Sequence, residues 1–264
     1  HVYSWQTAEG WYWEYEGCDP GYLTVSIDFL AQIYKKTSDE KVLLSLKKSI
    51  AFFYNIQHPD GTAGGEYGSR NTLVFHPAGF EIMSSYNDQA LKISNSYLAA
   101  LDSELLANIA DDYVIGHGLI SRLNAFRFSK DRDYNNLNDN YKNDINMHYK
   151  LSNFYIYSFK DKWSIFNLEK GGLSKIYKNT NLIHSDSGVI FENSNGKFVS
   201  SILDKTSRIE ILDHKIIISK SFMEFKQYYA TQFIFLIFRG FLFLFGQFKF
   251  SSIFLRKYFQ RKMI

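Results

Sequence analysis

Apolar residues recur at helical spacing in the first half of the chain. The first series follows Asp19 and Pro20, which suit a helix start because an Asp oxygen caps free N–H groups and proline fits the first turn. Apolar positions then recur every three or four residues, at Leu23, Ile27, Leu30 and Tyr34. This spacing predicts an amphipathic helix.

A second apolar series predicts a further helix that stops before His58 and Pro59. Thr37 and Glu40 have the spacing of a capping box at its start, and its apolar stripe consists of Val42, Leu43, Leu46, Ile50 and Phe53. A short turn would make these two helices an antiparallel hairpin. Further helical pieces are predicted at residues 80–86, 89–101 and, from a weaker pattern, 105–126.

The pattern changes near residue 129. Residues 129–146 (SKDRDYNNLNDNYKNDIN) are polar and rich in Asn, as in a linker or a long surface loop. Beyond them, short runs of β-branched and aromatic residues alternate with turn signals, which predicts antiparallel β structure, one sheet of a sandwich. The runs are 154–159, 163–166, 173–177, 188–191, 198–203, 209–212 and 216–219.

These patterns predict an α+β protein in which helical hairpins precede an antiparallel β-sandwich-type domain. The expected organisation is a helical domain at 1–128, a polar linker at 129–152, a β-sheet domain at 153–230 and an apolar and basic C-terminal segment at 231–264. The chain begins at His1 without Met and without an apolar leader, so we expect a fragment whose secretory signal is absent or already removed.

The C-terminal segment contains the run FIFLIFRGFLFLF at residues 233–245. It has 13 residues, interrupted by Arg239 and Gly240, whereas a spanning helix needs about 18 to 20 apolar residues. One interpretation is an interfacial amphipathic helix in contact with a membrane surface. We favour the alternative, in which the run packs against a part of the protein that lies outside this sequence.

Composition and charge argue for a folded protein and against one that binds nucleic acid. With 45% hydrophobic residues and 47 aromatic ones (24 Phe, 19 Tyr and 4 Trp), most of the chain is expected to fold. The net charge of +3 is unevenly distributed. Residues 1–150 carry 13 Lys and Arg against 19 Asp and Glu, residues 151–230 carry 11 against eight, and residues 231–264 carry six against none. An acidic first half argues against nucleic acid as a partner.

The sequence offers little support for a metal or redox site. Cys18 is the single cysteine, so no intrachain disulfide or CxxC pair can form. Four histidines lack any shared spacing with Asp, Glu or Cys, namely His58, His117, His148 and His214. No metal site and no cofactor is therefore expected.

The long connection at residues 57–78 (QHPDGTAGGEYGSRNTLVFHPA) contains several residues of types that act in catalysis or binding. Loops of this length without regular structure are often functional. Its glycines permit tight turns, and its candidate site residues are Glu66, Tyr67, Arg70, Asn71 and His76.

Upstream of this loop, aromatic residues cluster with carboxylates, a combination that suits sugar rings. The cluster comprises Trp5, Trp11, Tyr12, Trp13, Tyr15 and Tyr22 with Glu14, Glu16 and Asp19. We expect Trp11 and Trp13 to lie on opposite faces if the segment is extended, so that at most one meets a ligand.

Three stretches resemble the heparinase II/III-like polysaccharide lyases, namely residues 9–37 (EGWYWEYEGCDPGYLTVSIDFLAQIYKKT), 58–72 (HPDGTAGGEYGSRNT) and 169–193 (EKGGLSKIYKNTNLIHSDSGVIFEN). The resemblance implies an incomplete α/α toroid followed by a β-sandwich, β-elimination of uronate-containing polysaccharides, and a secreted or periplasmic location. The family's Asn-His pair is not evident here. Its His-Gly-His-x-Asp type motif is replaced by the run HSDSG, which begins at His184.

Site roles follow from the chemistry that the resemblance implies. Removing the proton beside a uronate carboxylate builds enolate charge, which cations or strong donors must meet while a base reaches the carbon. Arg70 and Asn71 fit the first role, and Tyr67 fits the base or acid if a nearby positive charge lowers its pKa. Histidine titrates near neutrality, so His76 or His184 would carry the second proton. The substrate-binding candidates are Trp11, Trp13, Glu16, Tyr22, Glu66 and Asn71.

Each assignment has a structural alternative. Tyr67 can simply pack in the core, Arg70 can tie the loop to an acidic helix face, and His76 can serve as a helix-entry residue. The predicted geometry has residues 57–78 lining a cleft with residues 5–22, with Tyr67 and Arg70 pointing inward. His184 would approach this cleft from the β domain.

Three functions stay open at this point. The first is a lyase acting on an acidic polysaccharide, and the second is a non-catalytic glycan-binding or structural module of the same fold. The third is a glycoside hydrolase, which needs two carboxylates roughly 5 to 10 Å apart. Its candidates are Glu14, Glu16 and Glu66.

Overall fold

Helices precede strands along the chain, as predicted for an α+β protein. The computed structural model describes residues 2–14, 17–102, 112–129, 145–202, 207–212, 215–224 and 231–245. A short 3-10 helix, Val2–Trp5, comes first. The α-helices are α1 (Pro20–Thr37), α2 (Glu40–Ile56), α3 (Ala78–Met83), α4 (Asp88–Asp102), α5 (Asp112–Phe128) and α6 (Gln232–Phe245).

The starts of α1 and α2 follow from their caps. Asp19 caps α1 as predicted, because its Oδ1 accepts a hydrogen bond of 2.9 Å from the N–H of Tyr22. The cap of α2 is Asp39, whose Oδ1 accepts from the N–H of Lys41 at 2.8 Å. The predicted capping box beginning at Thr37 is therefore wrong, since Thr37 is still the last residue of α1.

The helices pack through their apolar stripes. Ile27 of α1 and Ile50 of α2 are completely buried, as are Phe53 of α2 and Phe80 of α3. The rings of Phe53 and Phe80 lie 5.0 Å apart. These positions belong to the helical pattern of the sequence, which explains why the predicted helices match the observed ones closely.

Five strands form an antiparallel meander in which sequence neighbours pair throughout. They are β1 (Asn146–Tyr149), β2 (Phe154–Phe159), β3 (Lys162–Asn167), β4 (Leu173–Lys178) and β5 (Asn181–Asp186). One face of this sheet packs on α2, since the ring of Phe52 lies 4.7 Å from that of Tyr149 and 6.4 Å from that of Phe154. The buried residues of this face include Phe154, Ile156, Trp163, Ile165, Leu173 and Tyr177.

The remaining strands are short. Strands β6 (Ile190–Glu192), β7 (Phe198–Ser200) and β10 (Met223–Glu224) form a three-stranded sheet, and β8 (Arg208–Leu212) pairs with β9 (Lys215–Ser219). The sequence pattern did not predict β1, β5 or β10. Strand β1 lies inside the segment predicted as a linker, whereas residues 130–144 of that segment lie outside the described residues.

The chain divides into two compact units. One comprises His1–Gly188 with Lys205–Lys220, and the other comprises Val189–Asp204 with Ser221–Ile264. The first unit therefore holds both the helices α1 to α5 and the five-stranded sheet. The division into a helical domain, a linker and a β-sheet domain stays a prediction. The toroid and the sandwich stay predictions.

Candidate functional site

A buried histidine and a buried tyrosine meet inside the α2–α3 loop, residues 57–77. His58 follows the end of α2, and its Nε2 lies 2.9 Å from the phenol oxygen of Tyr67. The exposed fractions of the two residues are 2% and 1%. The loop therefore carries a Tyr–His pair, but in the core of the protein.

The hydrogen bonds around this pair correspond to one tautomer of a neutral His58. Asp60 Oδ1 accepts from both the N–H of Thr62 (2.9 Å) and its hydroxyl (2.6 Å). The Thr62 oxygen is then free to accept from His58 Nδ1 at 2.7 Å, which leaves Nε2 as an acceptor. Tyr67 consequently donates to His58, and its oxygen accepts from the N–H of Gly64 at 3.0 Å. The network assigns a neutral His58 with its proton on Nδ1.

Aromatic rings from the sheet surround the pair. The imidazole of His58 lies 5.2 Å from the ring of Tyr177 and 5.8 Å from that of Trp163. Burial raises the pKa of the Tyr67 phenol well above its ordinary value, and burial together with the charge of Asp60 raises the pKa of Tyr177. Burial also raises the pKa of Asp60. This environment keeps the phenols neutral, the opposite of what a tyrosine base requires.

The loop folds back on itself at glycine positions. Gly64 has φ +84°, and a Cβ there would lie 2.2 Å from the carbonyl oxygen of Thr72. The N–H of Gly65 donates to that same carbonyl at 3.1 Å. Only glycine allows this close approach of two backbone segments.

Asp19 ties the loop to α1 in addition to capping the helix. Its Oδ2 accepts from the N–H of Arg70 at 2.9 Å, and its Oδ1 accepts from the hydroxyl of Thr72. The N–H of Ser69 donates to the carbonyl of Cys18 at 2.9 Å. The buried carboxylate therefore fixes the position of the loop where it passes the start of α1.

The sheet ties the loop from the other side. Asn167 at the end of β3 donates from Nδ2 to the carbonyl of Tyr67 at 2.6 Å. Lys170, in the turn between β3 and β4, donates from Nζ to the carbonyls of Glu66 (3.1 Å) and Gly68. Burial lowers the pKa of Lys170, although nearby carboxylates oppose this. The ammonium group of Lys170 therefore binds backbone carbonyls of the loop.

Two surface segments, one with an exposed tryptophan and the other with an exposed arginine, are joined by a hydrogen bond. Trp13 is 56% exposed, and the side chain of Arg70 is exposed as well. The two segments are joined because the Ser69 hydroxyl donates to the carbonyl of Glu14 at 3.0 Å. Burial and the charge of Asp19 raise the pKa of Glu14, and the charge of Arg70 opposes them. We call Trp5, Trp13, Glu14 and Arg70 the Trp–Arg surface.

Trp5 and Trp11 both contact Trp13 but have very different exposures. Trp5 is 61% exposed, and its carbonyl accepts from the N–H of Trp13 at 2.9 Å. Trp11 is 1% exposed, and its ring stacks on that of Trp13 at 5.3 Å. The expectation of opposite faces is thus wrong, because residues i and i+2 of an extended segment share a face.

His76 lies away from the Tyr–His pair and packs on α1. Its N–H donates to the hydroxyl of Thr24 at 3.0 Å, and its Nδ1 is 3.7 Å from the carboxylate of Asp28. Burial alone would raise the pKa of Asp28, but hydrogen bonds, with that from His76 the largest, lower it. This position fits the alternative of a helix-entry residue before α3.

His184 lies on the far face of the sheet. In an antiparallel pair, residues directly opposite each other share a face, and His184 pairs with Ile176. Ile176 alternates with Tyr177, whose ring contacts His58. His184 is exposed and is not brought to Tyr67, which corrects the predicted approach from the β domain.

The other predicted site residues are distributed over the loop and α1. Asn71 is exposed with φ +58°, and Tyr22 is half-buried on α1. Glu66 is half-buried, with its carboxylate 3.9 Å from Lys175 Nζ. Glu16 lies outside the described residues. Within the described ranges, no three His, Cys, Asp or Glu residues cluster as a metal site would require.

The sequence pattern does not indicate His58, Asp60 and Thr62 as site residues. The only local signal was the run HPDGT, in which Asp60 and Gly61 are typical of a turn that reverses the chain. No spacing rule connects His58 to Tyr67 nine positions later.

No protein-family model, curated protein or solved structure matched the chain. Its resemblance to heparinase II/III-like lyases therefore stays a prediction, and a function has to be argued from the residues themselves.

Proposed function

We propose that this chain is a non-catalytic module that binds an acidic polysaccharide through the Trp–Arg surface. The observation that carries the proposal is the bond between Ser69 and the carbonyl of Glu14, which joins the two segments that carry exposed Arg70 and exposed Trp13. An aromatic face next to a guanidinium is a combination suited to a uronate-containing chain.

The chemistry of the two groups is complementary. The indole face of Trp13 offers an apolar platform for the C–H face of a sugar ring, and Trp5 is exposed beside it. Arg70 can pair with a uronate carboxylate through two parallel hydrogen bonds, a geometry that lysine does not offer. The carboxylate of Glu14 can accept from sugar hydroxyls.

The burial of Tyr67 supports binding without turnover. β-Elimination needs a base that reaches a carbon-bound proton of the substrate. Tyr67 is 1% exposed, its hydroxyl already donates to His58, and burial raises its pKa. While it is buried, the Tyr–His pair stabilises the conformation of the α2–α3 loop.

A second candidate is a lyase of the heparinase II/III-like class, with an incomplete toroid and a β-sandwich. The observation that favours it is the 2.9 Å contact between His58 and Tyr67, because the resemblance implies a Tyr and a His as acid and base. This function requires an open state of the loop in which the pair meets substrate. His58, instead of His76 or His184, would then be the histidine.

The first test is a binding titration followed by tryptophan fluorescence. We expect binding of polyuronates such as polygalacturonate or alginate, and no binding of uncharged dextran. Trp13→Ala should weaken binding about tenfold, whereas Phe29→Ala, which removes an aromatic residue of similar exposure (59%) from α1, should not. Equal losses in both variants, or no binding by the wild type, would contradict the proposal.

The second test separates binding from catalysis. Incubation with the same polyuronates, followed by ultraviolet absorbance of an unsaturated uronate, should give no signal. A signal that disappears in Tyr67→Phe would establish the lyase instead. Binding without product supports the module.

A further inference from the structure

Helix α6 exposes an extensive apolar surface. Eleven of its fourteen residues are apolar, and the exceptions are Gln232, Arg239 and Gly240. Four apolar side chains are strongly exposed, namely Phe233 (71%), Leu236 (71%), Ile237 (57%) and Phe243 (87%). Leaving such side chains in water is unfavourable, and contiguous patches of this kind mark an interaction site.

The length of α6 limits the type of site. Fourteen residues make a helix about 21 Å long, whereas the hydrocarbon core of a bilayer is about 30 Å thick. Accordingly, none of the helices within the described residues has both the length and the apolar character needed to span a membrane. A membrane would instead meet α6 along its side.

The charge of the surrounding sequence indicates which surface α6 meets. Residues 231–264 contain six Lys and Arg and no Asp or Glu, while residues 1–150 are net acidic. Five of the six cations follow α6 in sequence, at Lys249, Arg256, Lys257, Arg261 and Lys262. Basic residues next to an apolar helix are complementary to anionic lipid headgroups.

We propose that α6 binds the surface of an anionic membrane, which replaces the packing interpretation favoured from the apolar run alone. Its apolar side chains, Phe243 among them, enter the boundary between headgroups and acyl chains, and the basic residues that follow pair with lipid phosphates. Gln232 and Arg239 are seven residues apart and so share one face, which also carries Leu236 and Phe243. The long Arg239 side chain can extend from this face to the headgroups while the apolar side chains enter the boundary. The proposal concerns a different part of the chain from the Trp–Arg surface and does not depend on glycan binding.

Sedimentation with vesicles tests the proposal on the full chain. We expect the protein to sediment with vesicles that contain phosphatidylserine and to remain in solution with vesicles of phosphatidylcholine alone. Binding should fall as salt is raised, because salt screens the headgroup charges. Neutralising Lys249 and Arg256 to Gln should weaken partitioning about fivefold per residue.

Two variants at similarly exposed phenylalanines test whether the apolar side chains of α6 bind the vesicles. Phe243→Asp should reduce partitioning at least about tenfold. Phe126→Asp, at an 82% exposed position of α5, should leave it unchanged, and circular dichroism should show that both variants fold. Equal binding to uncharged vesicles, equal loss in both variants, or no vesicle binding with self-association in light scattering would overturn the proposal.

Discussion

Two parts of the α2–α3 loop, only a few residues apart, have opposite environments. His58 and Tyr67 are completely enclosed and hydrogen-bonded to each other, whereas Arg70 is exposed. The residues with acid–base chemistry are inside, and those suited to holding a charged sugar are outside. A loop rich in reactive residue types is therefore not by itself an active site, because accessibility decides which chemistry is usable.

The largest effect should come from removing the histidine at the centre of the buried part. His58→Ala removes one of the hydrogen-bond partners of the Tyr67 hydroxyl and one of those of the Thr62 hydroxyl, and it opens a cavity among three aromatic rings. We expect a loss of about 3 to 4 kcal/mol in the free energy of unfolding, measured by urea denaturation. His184→Ala, at an exposed position of β5, is the control and should change it by less than about 0.5 kcal/mol. Similar values for both variants would show that the buried network does not stabilise the protein.

Asp19 joins the buried part to α1, so its removal should come next. Asp19→Ala removes the acceptor for the N–H groups of Tyr22 and Arg70 and for the hydroxyl of Thr72. We expect a loss of about 2 to 3 kcal/mol by urea denaturation. Asp39→Ala removes the exposed cap of α2, which accepts from the N–H of Lys41, and should lower the free energy of unfolding by about 1 kcal/mol. A smaller loss for Asp19→Ala would argue that the loop does not depend on this carboxylate.

Removing one hydroxyl from the buried part should have a moderate effect. Tyr67→Phe keeps the ring and leaves the N–H of Gly64 and Nε2 of His58 without a partner, which should cost about 1 to 2 kcal/mol near neutral pH. Denaturation at each pH gives a second readout. Because burial raises the pKa of Tyr67 above 10.0, the folded protein keeps this proton when the unfolded chain releases it. Stability should then fall as pH rises through 10.0, and less steeply in the variant. An equally steep fall would contradict the assigned environment.

The smallest effect on stability belongs to the exposed part. Arg70→Gln should change the free energy of unfolding by less than about 0.5 kcal/mol, because the tie to Asp19 runs through the backbone N–H of residue 70. The same variant should weaken polyuronate binding, and Arg70→Lys should restore it only in part. A large destabilisation would assign Arg70 to the structure of the loop instead of to ligand binding.

Local signals in the sequence predicted the helical part of the fold well. Asp19 and Pro20 define the start of α1 through a cap that involves only neighbouring residues, and the stripe of α2 is buried as its period requires. The strands were harder. Strand β5 is exposed along its whole length, and β1 is a four-residue strand at the end of a polar stretch, so neither shows the alternation that predicts a half-buried strand.

The arrangement of the candidate site depends on contacts between residues far apart in sequence, which local sequence patterns do not predict. Asn167 and Tyr67 are a hundred positions apart, and the bond between them forms only when the sheet packs on the loop. The sequence indicated that the loop mattered and which residue types it held. It did not reveal which of them face water, because that depends on how Asp19, Asn167 and Lys170 together fix the loop.

The close approach of Gly64 to the carbonyl of Thr72 also has a consequence for proteases. A protease needs a stretch of backbone that can leave its neighbours and enter the enzyme's cleft. Arg70 offers trypsin an exposed side chain, but the backbone on its N-terminal side is bonded to Cys18 and Asp19. The α2–α3 loop, residues 57–77, should thus resist cleavage by trypsin although it has no regular structure. Cleavage after Arg70 would then indicate that the loop has come away from the core.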